Sequence, residues 1–226
     1  MKYDFVVTGG AGIQGKIVCR DLLENGYSVL LCDKNKFHAK KLLSKYDNLT
    51  FERLDVSNIS KTAKVIDESG SDVVINCAEG NWNLHVLHAC IKARAHSIDL
   101  SSEIWMTKKQ LKLDPVLKSK GLIHITGLGS VPGIGNVMLR HAAEKFDELE
   151  TVEVGFAWDS NVKDFVVPFS MESIVEEFTE PAPVIEDGKV MRVRPLDTVT
   201  ERVHREVGRQ KCFHVRHPET YTFYHY

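Results

Sequence analysis

Tyr3-Asp4-Phe5-Val6-Val7-Thr8-Gly9-Gly10-Ala11-Gly12-Ile13-Gln14-Gly15 decides the fold of this chain. The apolar, β-branched run Tyr3 to Thr8 reads as a buried strand. From Ile13 onward apolar residues recur at Ile17, Val18 and Leu22, which is helical spacing. Between the two lies Gly10-x-Gly12-x-x-Gly15. Alone that pattern is weak, but between a strand and a helix it has a physical reason. The first glycine permits the turn, the second lets a pyrophosphate approach the backbone, and the third allows close helix packing, with the helix amino end supplying donors and positive potential. Ile13 and Gln14 contribute the first amides of that helix. The competing explanation is a glycine turn that packs a helix on a strand without ligand.

Working outward, Gly26 marks the helix end, and Tyr27 to Cys32 reads as a second strand. Asp33 follows it, about 20 residues past the glycines, where a carboxylate accepts hydrogen bonds from the adenine ribose. Asp33 argues for NAD by repelling a 2′-phosphate. Lys34, Lys36, Lys40 and Lys41 follow and could hold that phosphate, or they form a solvated helix face with Lys45. NAD is the expected cofactor, with NADP open.

The alternation continues with a helix Lys36 to Tyr46, a strand Thr50 to Leu54, a helix Ile59 to Ser69 and a strand Val73 to Cys77. Next come a helix Leu84 to Ala93, a strand Ser97 to Leu100, a helix Ile104 to Lys118 and a strand Leu122 to Thr126. Repeated βα units imply a parallel sheet, and six such strands complete a doubly wound, Rossmann-type layer over residues 1–127. Ligands bind at the carboxyl ends of its strands. Asp55 and Val56 end the third strand there and Cys77 and Ala78 the fourth, so all four are candidate cofactor contacts. Asp55 could instead act locally at the start of the next helix, although Ser57 or Asn58 is better placed to cap it.

Gly127-Leu128-Gly129-Ser130-Val131-Pro132-Gly133-Ile134-Gly135 breaks the rhythm and marks a hinge. Beyond it a helix near Asn136 to Phe146 precedes strands Thr151 to Trp158, Val190 to Val193 and Lys211 to Arg216. A smaller α+β substrate or dimerisation domain is expected over residues 128–226. The aromatic tail Tyr221 to Tyr226 reads as a strand cut short within a sheet, whose free edge would pair with a second copy into a homodimer.

Composition narrows the partners. Hydrophobic residues at 43% and charged residues at 27% describe an ordinary globular chain. The 29 Lys and Arg against 31 Asp and Glu give no field for gripping nucleic acid. No apolar run is long enough to span a bilayer, so a cytoplasmic protein is expected. The five cysteines are odd in number and widely spaced, without a metal or redox pair. His85 with His88, and Cys212 with His214 and His217, match no standard metal pattern, and no metal is expected. Gly127-Leu128-Gly129-Ser130 also lacks the offset of a nucleophile elbow.

Val73-Val74-Ile75-Asn76-Cys77-Ala78, Asn83-Leu84-His85-Val86-Leu87-His88-Ala89-Cys90 and Ile98-Asp99-Leu100-Ser101 resemble the saccharopine dehydrogenase family, in the branch that includes lysine epsilon-dehydrogenases. Past the hinge, Val131-Pro132-Gly133-Ile134-Gly135-Asn136, Glu177-Phe178-Thr179-Glu180-Pro181-Ala182-Pro183-Val184 and Asp187-Gly188-Lys189 extend the likeness. The resemblance implies an NAD- or NADP-dependent oxidoreductase acting on the carbon-nitrogen bond of an amino acid such as lysine or saccharopine, or of a polyamine precursor. Two features depart from it: family chains are considerably longer, and an acid often found before the Pro-Gly segment is Gly127 here.

Such chemistry needs a base facing the nicotinamide. Asp99, Ser101, Ser102 and Glu103 follow the fifth strand's carboxyl end, and Asp99 and Glu103 are the catalytic candidates, with helix capping as the local alternative. Arg140, Arg192, Arg194 and Arg216 are candidates for a substrate carboxylate. The rival from another class is a regulatory or assembly protein that binds the dinucleotide without turnover.

Overall fold

The structure is a computed structural model that describes residues 2–100, 103–157, 163 and 171–225. The chain divides into two compact units, Met1–Leu128 and Gly129–Tyr226, within one residue of the hinge expected after Gly127.

The first unit is built from β1 (Phe5–Thr8), α1 (Ile13–Glu24), β2 (Val29–Asp33), α2 (Lys40–Leu43), β3 (Leu49–Arg53), α3 (Ile59–Ser69), β4 (Val73–Asn76), α4 (Asn83–Ala93), β5 (His96–Asp99), α5 (Ile104–Leu111), α6 (Asp114–Ser119) and β6 (His124–Ile125). Its six strands form one parallel sheet in the order β3-β2-β1-β4-β5-β6. The order reverses between β1 and β4, and ligands of such sheets bind at this switch point. Register aligns the carboxyl ends, with Thr8 beside Cys32 and Asn76, and Asn76 beside Asp99.

Both faces of the sheet are covered, which is why the strands read as continuous apolar runs rather than alternating ones. Val6, Leu30, Cys32 and Val74 pack against Ala63 and Ile66 of α3 and Val86, Ala89 and Cys90 of α4. Val7, Val29 and Leu31 face the other way, onto Cys19 and Leu23 of α1. Each fully buried Leu or Val contributes about 1.5–3 kcal/mol of transfer free energy.

Two expected helices differ in extent. Residues 36–46 hold a 3-10 turn, Lys36–Ala39, and then only the four residues of α2. Asn35 starts that turn by accepting from the Phe37 amide at 2.9 Å. The segment 104–118 is two helices, because Pro115 lacks an amide to continue a helix and suits the first turn of the next.

The second unit holds α7 (Ile134–Ala143), α8 (Met171–Thr179), β7 (Ala182–Glu186), β8 (Lys189–Val193), β9 (Thr200–His204), β10 (Gly208–Cys212) and α9 (Glu219–His225). Its strands pair only as two antiparallel hairpins, β7 with β8 and β9 with β10. Three expectations are corrected here. Residues 151–157 are not a strand; a lone strand has no ladder partner to hold it, and Trp158 lies outside the described residues. The Lys211 to Arg216 strand is shifted to Gly208–Cys212, where the turn at Gly208 pairs it with β9. The aromatic tail is a helix, because Pro218 precedes it and its carbonyl accepts from the amides of Tyr221 and Thr222 at 3.0 and 2.9 Å. The free sheet edge on which the homodimer expectation rested is therefore not present at 219–225. No helix among the described residues is long and apolar enough to cross a membrane.

Candidate dinucleotide site

The glycine turn sits at the carboxyl edge between β1 and β4, and its glycines are there for steric reasons. Gly9 has φ +66, and a Cβ on it would lie 2.5 Å from the Ala78 amide nitrogen. A Cβ on Gly15 would overlap the backbone of Gly9 and Gly10, which is the close approach of helix and strand that the third glycine allows. Gly10 is pressed on Leu31, where a Cβ would fall 2.5 Å from Cγ. Gly12 differs: its φ of −68 suits any residue, and the nearest atom to an added Cβ is the Gly9 carbonyl oxygen at 3.2 Å. Gly12 is the amino cap of α1, and no side chain caps that helix end. Its first amides, from Ile13 and Gln14 on, keep the positive end of the helix dipole for an anion.

Asp33 stands across this turn. The Ala11 amide donates to Asp33 Oδ2 at 3.1 Å and the Asn35 amide to Oδ1 at 3.0 Å. These bonds fix the carboxylate at the glycine loop and leave lone pairs on both oxygens for ribose hydroxyls. Lys34 turns aside: its Nζ lies 3.2 Å from Asp55 Oδ1 and 5.5 Å from the centre of the Trp82 ring. Asp55 also accepts from the Ser57 amide at 3.0 Å. Hydrogen bonds from Ser57, with the Lys34 charge beside them, hold its carboxyl below the usual carboxylate range. Asn58, not Asp55, caps α3, accepting from the Lys61 amide at 2.9 Å. The other basic residues of this stretch are engaged locally, Lys36 over Phe51, Lys40 over Phe37 and Lys45 at Glu24.

Val56 is buried under the edge. Cys77 and Ala78 form the wall facing Gly9. Burial pushes the Cys77 thiol up to about 12, so it is a neutral wall and not a nucleophile at pH 7. A residue that the sequence pattern did not single out places this wall. Asn76, buried at the end of β4, accepts from Thr8 Oγ1 at 2.7 Å and from the Ala78 amide at 3.2 Å, and donates to Asn83 Oδ1 at 2.6 Å. The signal available was a polar amide closing the run Val73-Val74-Ile75. Trp82 carried no such signal; it lies one turn beyond the Asn76 to Gly80 segment.

Asp99 occupies a different setting. It is 1% exposed, and its carboxylate accepts from Gln110 Nε2 and, at 3.0 Å, from the Gly127 amide. His124 Nε2 lies 3.4 Å from Oδ2, and Ser97 and Thr126 extend the network through His124 and Gln110 at 2.8 and 2.7 Å. Its backbone carbonyl accepts from the Leu128 amide at 2.8 Å. Asp99 thus ties β5 to the Gly127-Leu128 segment, and the amino-cap position of α5 is held by Glu103, without a capping side-chain bond. Ser101 and Ser102 lie outside the described residues. Asp99 and Glu103 are not brought together with the glycine turn by any contact described. Among the described residues no group of three or more His, Cys, Asp and Glu has the geometry to hold a metal ion.

A glycine turn on which a Cβ at Gly9 or Gly15 would collide, a helix amino end without a side-chain cap and a carboxylate held at the Ala11 amide fit a dinucleotide. Residues 6–125 match the family model described as the saccharopine dehydrogenase NADP binding domain. The chain belongs to the saccharopine dehydrogenase family. That family is one of NAD(P)-binding oxidoreductases. Carboxyaminopropylagmatine dehydrogenase of Synechocystis sp. is 25% identical over 97% of this chain and 56% of the relative. Carboxynorspermidine synthase of Vibrio cholerae is 24% identical over 91% and 53%. The chain spans about half the length of these two relatives. Saccharopine dehydrogenase (L-Glu forming) from Saccharomyces cerevisiae shares the fold with a TM-score of 0.70 at 16% identity, covering 99% of this chain and 52% of that one.

Proposed function

We propose that the chain is an NAD(P)-dependent oxidoreductase acting on the carbon-nitrogen bond of a carboxylated amine, of the kind named in its polyamine-related relatives rather than lysine or saccharopine. The observation that carries the reading is the Gly9–Gly15 turn seated on Ala78 with Asp33 held at the Ala11 amide. The nicotinamide supplies a hydride acceptor or donor when bound. The chain's residues do the rest: α1 and Gly12 receive the pyrophosphate, Asp33 accepts from the adenine ribose, and Cys77 and Ala78 exclude water beside the second ribose. The family description names NADP. In this chain Asp33 disfavours a 2′-phosphate while Lys34 is already neutralised by Asp55, so NADH is expected to bind more tightly than NADPH.

One observation favours a second reading, a dinucleotide-binding protein without turnover: Asp99, the nominated base, is consumed by Gln110, His124 and Gly127. Fluorescence titration with NADH and NADPH, with Asp33→Ala in parallel, followed by turnover assays with carboxynorspermidine, saccharopine and lysine, separates the two. Tight NADH binding with carboxynorspermidine turnover supports the enzyme. Binding with no turnover on any of them supports the second reading, and binding of neither cofactor contradicts both.

A further inference from the structure

The second unit buries a cluster of charge that the dinucleotide site does not use. Glu177 of α8, His217 of the loop before α9 and Glu219 at the start of α9 meet there. His217 Nε2 lies 3.4 Å from Glu177 Oε1, and Nδ1 lies 3.6 Å from Glu219 Oε2. The Glu219 side chain is 6% exposed, and among the described residues neither of its oxygens has a donor within hydrogen-bond distance, His217 Nδ1 being the nearest at 3.6 Å from Oε2. His217 is 12% exposed and Glu177, at 24%, forms the open side. Thr220 Oγ1 reaches the Pro183 carbonyl at 3.3 Å and so anchors the first turn of α9 to β7.

Two carboxylates face one imidazole, so the cluster carries net negative charge even when His217 is protonated. A buried carboxylate without donors is costly unless a cation with hydrogen bonds compensates it. Burial pulls the His217 pKa down, but Glu219 and Glu177 together more than restore it, and an imidazolium whose Nδ1 faces Glu219 Oε2 still leaves Oε1 without a donor. The missing partner is therefore a second cation that brings N–H donors. The described residues do not offer metal geometry here. An alkylammonium brings one charge and three donors on a narrow stem, and Glu177 is the most exposed member of the cluster.

We propose that Glu177 and Glu219, with His217 between them, bind a primary alkylammonium group of the amine substrate. This rests on the oxidoreductase reading above for the identity of the ligand, but the site is tested independently of it. The experiment is a calorimetric titration of the 226-residue chain with norspermidine, with and without NADPH, alongside tetramethylammonium, which lacks N–H donors. Saturable norspermidine binding is expected, weakened about tenfold or more by Glu219→Gln and by Glu177→Gln, with no tetramethylammonium binding and with NADPH affinity unchanged in Glu177→Gln. If Glu219→Gln fails to fold, Glu177→Gln, on the open side, decides between binding and its absence. No norspermidine binding to the wild type, equal binding by folded variants, or equal binding of tetramethylammonium would overturn the proposal. A chain that binds norspermidine through Glu177 but binds neither NADH nor NADPH contradicts the oxidoreductase reading and leaves this site standing.

Discussion

Residues 1–128 and 129–226 bury their apolar side chains very differently. The first unit encloses two apolar layers, one on each face of its sheet. In the second, Ala182 is the single hydrophobic residue among the described ones that is fully withdrawn from solvent, while Val137, Leu196 and Val203 stand at least 66% exposed. A parallel sheet must be covered on both faces, so sequence there is strongly constrained. Two separate hairpins impose no such demand on theirs. The chemistry follows the same division: in the first unit polar groups at the strand ends are satisfied around a ligand seat, whereas the second buries charge that is not.

This contrast can be broken by experiment. The largest effect is expected from Leu31→Ala, which empties a fully buried position behind Gly10 and should cost about 2–5 kcal/mol in denaturant unfolding. Val203→Ala, in an exposed hairpin strand, should change stability by less than about 0.5 kcal/mol. Comparable losses at both positions would erase the distinction between the units.

Asp99→Ala comes next. It strands Gln110 and the Gly127 amide and should cost about 3 kcal/mol or more by the same measurement. If the variant instead keeps its stability and loses only turnover, Asp99 is a catalytic base and not the tie between β5 and the Gly127-Leu128 segment.

The His217 cluster gives the second unit its own pH dependence. Glu219 and Glu177 outweigh burial and raise the folded-state pKa above the ordinary 6.5. The resulting stability is fully present below the unfolded value and is lost as pH rises through the folded value. Hydrogen exchange over 213–225 should therefore speed up, beyond its intrinsic rise, between neutral and alkaline pH, and His217→Gln should remove the excess. A cluster with the opposite slope would mean that burial dominates.

The smallest effect belongs to Asp55→Asn. Its pair with Lys34 is exposed and worth little, but breaking it frees an ammonium on the residue next to Asp33. NADPH affinity should rise about two- to fivefold relative to NADH in a fluorescence titration. No change in the ratio would remove Lys34 from cofactor choice.

The first unit was legible because period and punctuation agreed: Ile59 to Ser69 is a helix with the expected bounds, closed by Gly70 at φ +65. Gly10 and Gly15 were legible on steric grounds, since a Cβ there would collide with Leu31 or with the backbone of Gly9 and Gly10, and Asp33 ends β2, where its carboxylate accepts from the Ala11 amide. Asn76 and Trp82 were not, because their roles depend on which strands become neighbours. Asp99 was placed at the correct strand end, but its burial comes from Gln110 and His124, which lie elsewhere in the sequence. In the second unit, local signals were overridden by composition. Pro218-Glu219 is a helix start, yet the aromatic run after it reads as strand, and only the amide bonds to Pro218 decide the matter.

The most direct test of the dinucleotide seat is Gly12→Ala. Its backbone angles suit any residue, and the nearest protein atom to the new methyl is the Gly9 carbonyl oxygen at 3.2 Å, a tight contact that a shift of a few tenths of an ångström relieves, so the fold should lose no more than about 4 °C in melting temperature. The methyl would occupy the space through which a pyrophosphate approaches α1. NADH and NADPH binding, followed by fluorescence, should weaken more than about tenfold. Unchanged affinity in the folded variant would show that the turn packs α1 on β1 and holds no cofactor.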